Sequence, residues 1–179
     1  MPAARRRGRP KATRVGRAAR RAGAAGPIKT VTDALRMYAD RGVFKGFNVN
    51  DSHGRRPEFT FTWLTRRPMS LSYDSRTSRL IVANLFPHVD PRSDMVADLR
   101  HLIVERSSSE LPVHKRLDRR KAHLTCTVRR GRFAVQLAVR GSSHAYAVRH
   151  LLNLVNELHL RLHEAYPEYL VAHFGVSPE

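Results

Sequence analysis

The stretch Arg132-Phe133-Ala134-Val135-Gln136-Leu137-Ala138-Val139-Arg140 puts a large apolar residue at every second position and a small or polar one between. A period of two is the mark of a strand buried on one face. Residues 122–128 before it also alternate, with Leu124, Cys126 and Val128 on one side. Arg130-Gly131 separates the two runs, and glycine supplies the positive φ that a tight hairpin needs. After the hairpin the period changes. Ser142 or Ser143 is placed to cap a helix on which Val148, Leu151, Leu152, Val155, Leu158 and Leu162 recur at helical spacing. A stripe that long has to be buried, and the sheet face of Phe133, Val135, Leu137 and Val139 is the nearest apolar surface in the chain.

Upstream, Phe59, Phe61 and Trp63 alternate with threonines, and Met69, Leu71 and Tyr73 alternate with serines, so two more strands are expected. Asp74 to Ser78 reads as a turn and Arg79 to Leu85 as a third strand. Residues 92–106 read as a helix with Met95, Leu99, Leu102 and Ile103 as its apolar face. Residues 107–119 read as a polar linker and residues 48–57 as a loop. Residues 30–41 read as a helix, capped by Thr30 or Thr32, with Val31, Leu35 and Tyr38 on one face and Gly42 as its stop. Pro167 ends the last helix or opens a short further turn that closes at Gly175. The order α-β-β-β-α-β-β-α predicts an α+β domain over 27–179, an antiparallel sheet with helices on one face.

Composition narrows the function classes. The chain has 179 residues and a net charge of +18, with 33 Lys and Arg against 15 Asp and Glu. Its apolar runs are too short for a membrane-spanning helix. One cysteine, Cys126, excludes an internal disulfide framework, and no apolar stretch follows the basic N-terminus as a secretory signal requires. A reducing, cytoplasmic compartment is the expectation. Half of the charge lies in residues 1–26, which hold nine cations and no acid. That segment holds eight alanines and four glycines and is expected to be disordered alone, having too little apolar surface to offset ordering. Residues 27–139 carry +10 and residues 140–179 carry −1. Polyanion contact is therefore expected at the tail first and in the middle of the chain second.

The element order, together with the closing stretch Leu151-Leu152-Asn153-Leu154-Val155-Asn156-Glu157-Leu158, resembles the YbjN family and the type III secretion chaperone fold related to it. The resemblance covers roughly residues 28–175. It implies a regulatory or protein-binding module, often a homodimer, with no catalytic residues to carry over.

Within the tail, Arg7-Gly8-Arg9-Pro10, flanked by Arg6 and Lys11, resembles the core of the AT-hook. An extended Arg-Gly-Arg segment fits the floor of a narrow A·T minor groove. Gly8 permits close approach and Pro10 holds Arg9 extended. Lys11 and the surrounding arginines neutralise phosphates without reading sequence. A nonspecific basic tail is the plainer alternative. A transit peptide is a third, opposed by the lack of an amphipathic face.

A second basic group comprises Lys115, Arg116, Arg119, Arg120 and Lys121, with Arg129, Arg130 and Arg132 at the hairpin turn. These could form one patch, or serve as solvated charge that keeps an edge strand from pairing. Aromatic interleaving of the kind used by single-strand binders is missing. His159 and His163 have i,i+4 spacing, but residue 160 is Leu where the zinc-protease pattern needs Glu, and no third ligand suggests itself. Surface or half-buried histidines are expected there. No phosphate loop, nucleophile elbow or paired carboxylate is visible. The sequence thus predicts no cofactor, no metal and no catalysis. It predicts DNA as partner through the tail, a protein partner or a second copy through the folded domain, and nucleoid association as a consequence. The rival reading is a secretion-chaperone-like protein that binds an acidic polypeptide, and a third is an RNA-associated protein using both basic groups.

Overall fold

The computed structural model describes residues 25–51, 54–113 and 115–176. Helix α1 spans Ala25–Asp40 and is followed by strands β1 (Lys45–Asn50), β2 (Glu58–Thr62), β3 (Pro68–Asp74) and β4 (Arg79–Pro87). Helix α2 (Asp94–Glu105), strands β5 (Ala122–Arg129) and β6 (Arg132–Val139), and helices α3 (His144–Ala165) and α4 (Pro167–Phe174) complete the order. The strands form one six-stranded antiparallel sheet in the order β1-β2-β3-β4-β6-β5. The α+β class and the antiparallel sheet expected from the sequence are therefore present.

The hairpin sets the register. Leu124, Cys126 and Val128 pair with Leu137, Val135 and Phe133, so the apolar residues of both strands share one face. Arg130 and Gly131 have φ of 51° and 68°, the two positive values of a type I′ turn, whose twist matches that of the strands. Strand β6 then passes its pattern to β4, with Leu80 opposite Leu137 and Val82 opposite Val135. A bulge between Val82 and Phe86 lets both Leu85 and Phe86 be buried before Phe86 pairs with Phe133. The same face continues through Tyr73 and Leu71 on β3 to Phe59 and Phe61 on β2, all within 1% of full burial.

The helices cover this face. Val148, Leu151, Val155, Leu158 and Leu162 of α3 are at most 1% exposed, as the stripe requires. The buried side also takes in Ala147, Leu152 and Leu154, because α3 meets α1 and α2 as well as the sheet. On α2 the buried face is Met95, Val96, Leu99 and Ile103. Leu102 is half-buried, so Val96 takes the place assigned to it. Ser93 caps α2, its Oγ accepting from the Val96 N–H at 3.3 Å. Arg161 of α3 does not stand free in solvent: its Nε donates to Asp98 Oδ2 of α2 at 2.7 Å.

Three local expectations are corrected. Residues 48–50 are not loop but the end of β1. Phe47 and Val49 face the core beside Phe59, and pairing with β2 outweighs the weak strand preference of Gly46, Asn48 and Asn50. Helix α1 starts at Ala25, inside the segment assigned to the tail, with Pro27 in its first turn, where a missing N–H is harmless. Thr30 and Thr32 are therefore inside α1, not at its cap, and their hydroxyls donate to the carbonyls of Gly26 and Ile28 at 2.8 and 2.9 Å. Ser143 is the N-cap of α3 but makes no side-chain capping bond.

His159 is 2% exposed, contrary to the expectation of a surface or half-buried ring. Its Nδ1–H donates to the Val155 carbonyl at 2.9 Å, and its ring lies 5.0 Å from that of Phe86. Burial pushes its pKa down to about 4. No helix among the described residues is long and apolar enough to cross a membrane.

Two outcomes follow from this packing. Leu151→Ala should lower stability by about 2–5 kcal/mol in urea denaturation, whereas Leu160→Ala, at a 52% exposed position, should fall within about 0.5 kcal/mol of the parent. The second concerns pH. Folded His159 stays neutral below the pH at which the unfolded chain takes up a proton, near 6.5. Stability should therefore be complete above pH 6.5 and fall as pH drops toward 4, with about 2 kcal/mol lost from this residue by pH 5. His159→Leu, which has no proton to take up, should remove this residue's share of the slope and leave that of His150, whose pKa burial also pushes down to about 4.

Candidate nucleic-acid interface

Antiparallel strands sort the loops onto two ends of the sheet. At one end lie residues 51–57 and 75–78, the segment 106–121 that leads into β5, and Arg140 after β6. At the other lie residues 41–44, 63–67, 88–93 and the Arg130-Gly131 turn. The second basic group of the sequence is divided by this arrangement. Lys115, Arg116, Arg119, Arg120 and Lys121 stand before β5, and Arg129, Arg130 and Arg132 stand at its far end. The eight-residue strand holds them roughly 23 Å apart, at about 3.3 Å per residue.

Other cations stand along the same end of the sheet as the first group. The Ser75 N–H donates to the Arg55 carbonyl at 3.0 Å, tying the β1–β2 loop to the β3–β4 turn. The Val139 N–H donates to the Ser78 carbonyl at 2.7 Å, tying that turn to the end of β6. The Arg140 N–H donates to the Lys121 carbonyl at 2.8 Å, tying β6 to the segment before β5. Three main-chain bonds thus join the loops into one rim carrying Arg55, Arg56, Arg76, Arg79, Arg140, Lys121, Arg120 and Arg119. All eight are exposed, and none has a carboxylate within ion-pair distance among the described residues. Two acids of this end are turned to the backbone. Asp74 Oδ1 accepts from the N–H groups of Arg76 and Thr77, and Asp118 Oδ1 from that of Arg120. Burial acts to raise the pKa of Asp74, but those N–H groups and the Arg56 charge outweigh it and hold the carboxyl below its usual range.

Helix α1 begins at the same end. Ile28, Lys29 and Arg36 border a groove of about 880 Å³ with Arg55, Ser75 and Arg76, and two acids, Asp33 and Asp51, also line it. The first described residues of α1 therefore stand beside the rim. Arg6, Arg7, Gly8, Arg9, Pro10 and Lys11 lie outside the described residues.

The segment before β5 is held by one buried cation. Arg106 is 7% exposed. Its Nη2 lies 2.5 Å from Glu157 Oε1 of α3, and its Nη1 donates to the Lys115 carbonyl at 2.8 Å. The Leu117 N–H donates to the Arg106 carbonyl at 2.7 Å, and Leu117 itself is buried. Burial raises the Glu157 pKa against the opposing pull of Arg106 and Lys115. Beyond this anchor, Tyr146 Oη accepts from the Asp118 N–H at 2.8 Å, and Lys121 Nζ lies 5.0 Å above the Tyr146 ring. The His150 ring packs 4.1 Å from that of Tyr146. Burial, then the charges of Arg149, Arg106 and Lys121, push its pKa down to about 4.

The far end is also cationic: Lys45, Arg66 and Arg67 stand toward its β1 side and Arg129, Arg130 and Arg132 at its β5 side. The rings of His88 and His173 stack there at 5.3 Å, and the Tyr169 hydroxyl donates to the Pro87 carbonyl at 2.5 Å. His159 and His163 do not converge, since the first faces the core and the second is exposed. Among the described residues, no group of three or more His, Cys, Asp and Glu is placed to hold a metal ion. Cys126 is half-buried, and burial raises its thiol pKa against the lowering effect of Arg100. Trp63 is half-buried, with its ring edge-on to Phe44 at 5.6 Å.

Sequence reasoning passed over Arg55, Arg56, Arg76, Arg79 and Arg140, which are scattered along the chain. Their only shared sign is that each adjoins a turn at the same end of an up-and-down sheet. The chain matches no protein-family model, no curated protein and no solved structure.

Replacing the anchor should loosen this end without dissolving the fold. Arg106→Met should cost about 1–3 kcal/mol, less than a fully enclosed pair because Glu157 retains access to water. Hydrogen exchange should show it locally, as faster exchange of the Leu117 N–H with the β4–β6 amides still protected.

Proposed function

We propose that the protein is a non-catalytic DNA-binding module in which the tail and the rim engage one duplex. The observation that carries this reading is the rim itself: eight exposed cations, none with an ion-pair partner among the described residues, on loops joined through main-chain bonds at the end where α1 begins. Six strands at about 4.8 Å spacing make a rim about 24 Å wide, the length of about seven successive phosphates on one strand. Such contacts fix position and orientation and read no sequence. Sequence preference falls to Arg7-Gly8-Arg9-Pro10, acting in an A·T minor groove. The helical layer and the sheet edges remain for a protein partner or a second copy, the regulatory role that the YbjN resemblance implies.

A second reading, the capture of an acidic polypeptide, is favoured by β5. It is an edge strand with no charged side chain between Lys121 and Arg129, so its cations flank the edge rather than interrupt it.

The first reading makes separable predictions for the full chain. Replacing Arg55, Arg56, Arg119 and Arg120 with Ala should flatten the dependence of log K on log salt by up to about 3.6, at roughly 0.9 for each phosphate no longer neutralised. The loss should be equal on A·T-rich and G·C-rich duplexes. Arg7→Ala with Arg9→Ala should cost more on A·T-rich duplex. An unchanged salt slope in the rim variant, measured by fluorescence anisotropy, would remove the folded domain from the interface.

A further inference from the structure

Where the segment after α2 turns back toward β5, it encloses a cleft of about 670 Å³. Ser107, Ser108 and Ser109 line it together with Arg116, Arg119, Arg120, Lys121 and Tyr146, and Val113, Leu117 and Asp118 complete the lining. We propose that this cleft is a binding site for a phosphomonoester group.

The donor set carries the proposal. None of the four cations has an ion-pair partner among the described residues. The one acid in the lining, Asp118, already accepts from the Arg120 N–H through Oδ1. Ser108 Oγ accepts from the Glu110 N–H and Tyr146 Oη from the Asp118 N–H, so both hydroxyl hydrogens remain for a ligand. A backbone phosphodiester offers two free oxygens and one negative charge. A monoester offers three oxygens and close to two charges, which fits a cleft where four cations and four hydroxyls meet. Arginine suits this role, because its planar fork can span two phosphate oxygens. The Arg106–Glu157 anchor and the buried Leu117 hold the backbone of the cleft in place before any ligand arrives, so the ordering left to binding is that of the side chains.

Two sources present this chemistry, the 5′-phosphate at a nucleic-acid end and a free phosphorylated small molecule. The assignment shares Arg119, Arg120 and Lys121 with the rim, and for the first source it rests on the DNA-binding reading. The rim grips the outside of any duplex, whereas the cleft selects a terminal dianion.

The test uses the full-length protein with inorganic phosphate and with two hairpin duplexes that differ only in a 5′-phosphate or 5′-hydroxyl. At about ten times its Kd, phosphate should raise Tm by about 3 °C over chloride of equal ionic strength. The 5′-phosphorylated duplex should bind at least about fivefold more tightly than its 5′-hydroxyl twin. Arg116→Ala with Ser109→Ala should abolish both effects. Arg129→Ala with Arg132→Ala, which removes charge at the opposite end, should leave both intact. A response to phosphate alone identifies a small-molecule ligand, and a response to the duplex end alone identifies the nucleic-acid terminus. Equal Tm in phosphate and chloride together with equal affinity for the two duplexes overturns the proposal. So does a phosphate effect that survives in the Arg116→Ala, Ser109→Ala protein, since solute exclusion would then account for it. Failure to bind the 5′-hydroxyl duplex at all, with the phosphate effect retained, overturns the rim reading and leaves the cleft standing.

Discussion

The pairing of β4 with β6 is the joint on which the molecule depends. On one side of it lies a meander of four strands, on the other a hairpin made of the last two. Neither half covers itself, because the inner residues of both are apolar and the helix that covers their seam follows the hairpin. Only when Leu80 meets Leu137 and Val82 meets Val135 does a single face exist for α3 to lie on. Bringing those residues together closes a long loop that contains α2 and the whole segment before β5, an entropic charge that local contacts cannot meet. The apolar stripe of α3 and the rings of Phe86 and Phe133, 5.9 Å apart across the joint, are what offset it. The same joint fixes the direction of every loop, and so decides which arginines become neighbours.

How much of this the sequence could show depends on the range of the interaction concerned. The hairpin was legible because its alternation, its Arg130-Gly131 turn and its register all lie within residues 122–140. The stripe of α3 was legible because it spans about four turns of one helix. Strand β1 was not, since Gly46, Asn48 and Asn50 have little tendency toward strand, and only the edge of β2 and the pocket for Phe47 and Val49 make them one. The start of α1 was hidden for the opposite reason: the alanine and glycine before Pro27 continue the composition of the tail. In the candidate site, the run Lys115–Lys121 was visible as a run. Its apparent continuity with Arg129–Arg132 was an effect of numbering, because an extended strand turns a short separation in sequence into a long one in space. The run's direct neighbour, Arg140, is remote in sequence and is joined to it by a main-chain bond that no side-chain pattern records, and Arg76 and Arg55 follow farther along the same end of the sheet.

Arg106 plays a part unlike that of the other cations. It is buried and paired, and it spends its guanidinium on Glu157 and on a carbonyl of the segment it begins. A buried ion pair is weak evidence for stability in general. Here its effect is positional: it pins both the start and the middle of the segment 106–117 against α3, so that the serines and the cations line one cleft. A looser segment of the same composition would carry the same charge and would have no cleft.

The rim is joined by backbone bonds, with one side chain added to them: the Ser75 hydroxyl also donates to the Arg55 carbonyl at 2.8 Å. Each of the three backbone bonds runs from an amide to a carbonyl, and the arginine side chains above them contribute nothing to those bonds. Identity and architecture are therefore uncoupled at this end of the molecule. A lineage could exchange these arginines for glutamates, or for nothing, one position at a time, and the protein would still fold. The surface is free to drift toward a new class of partner while the sheet beneath it stays as it is.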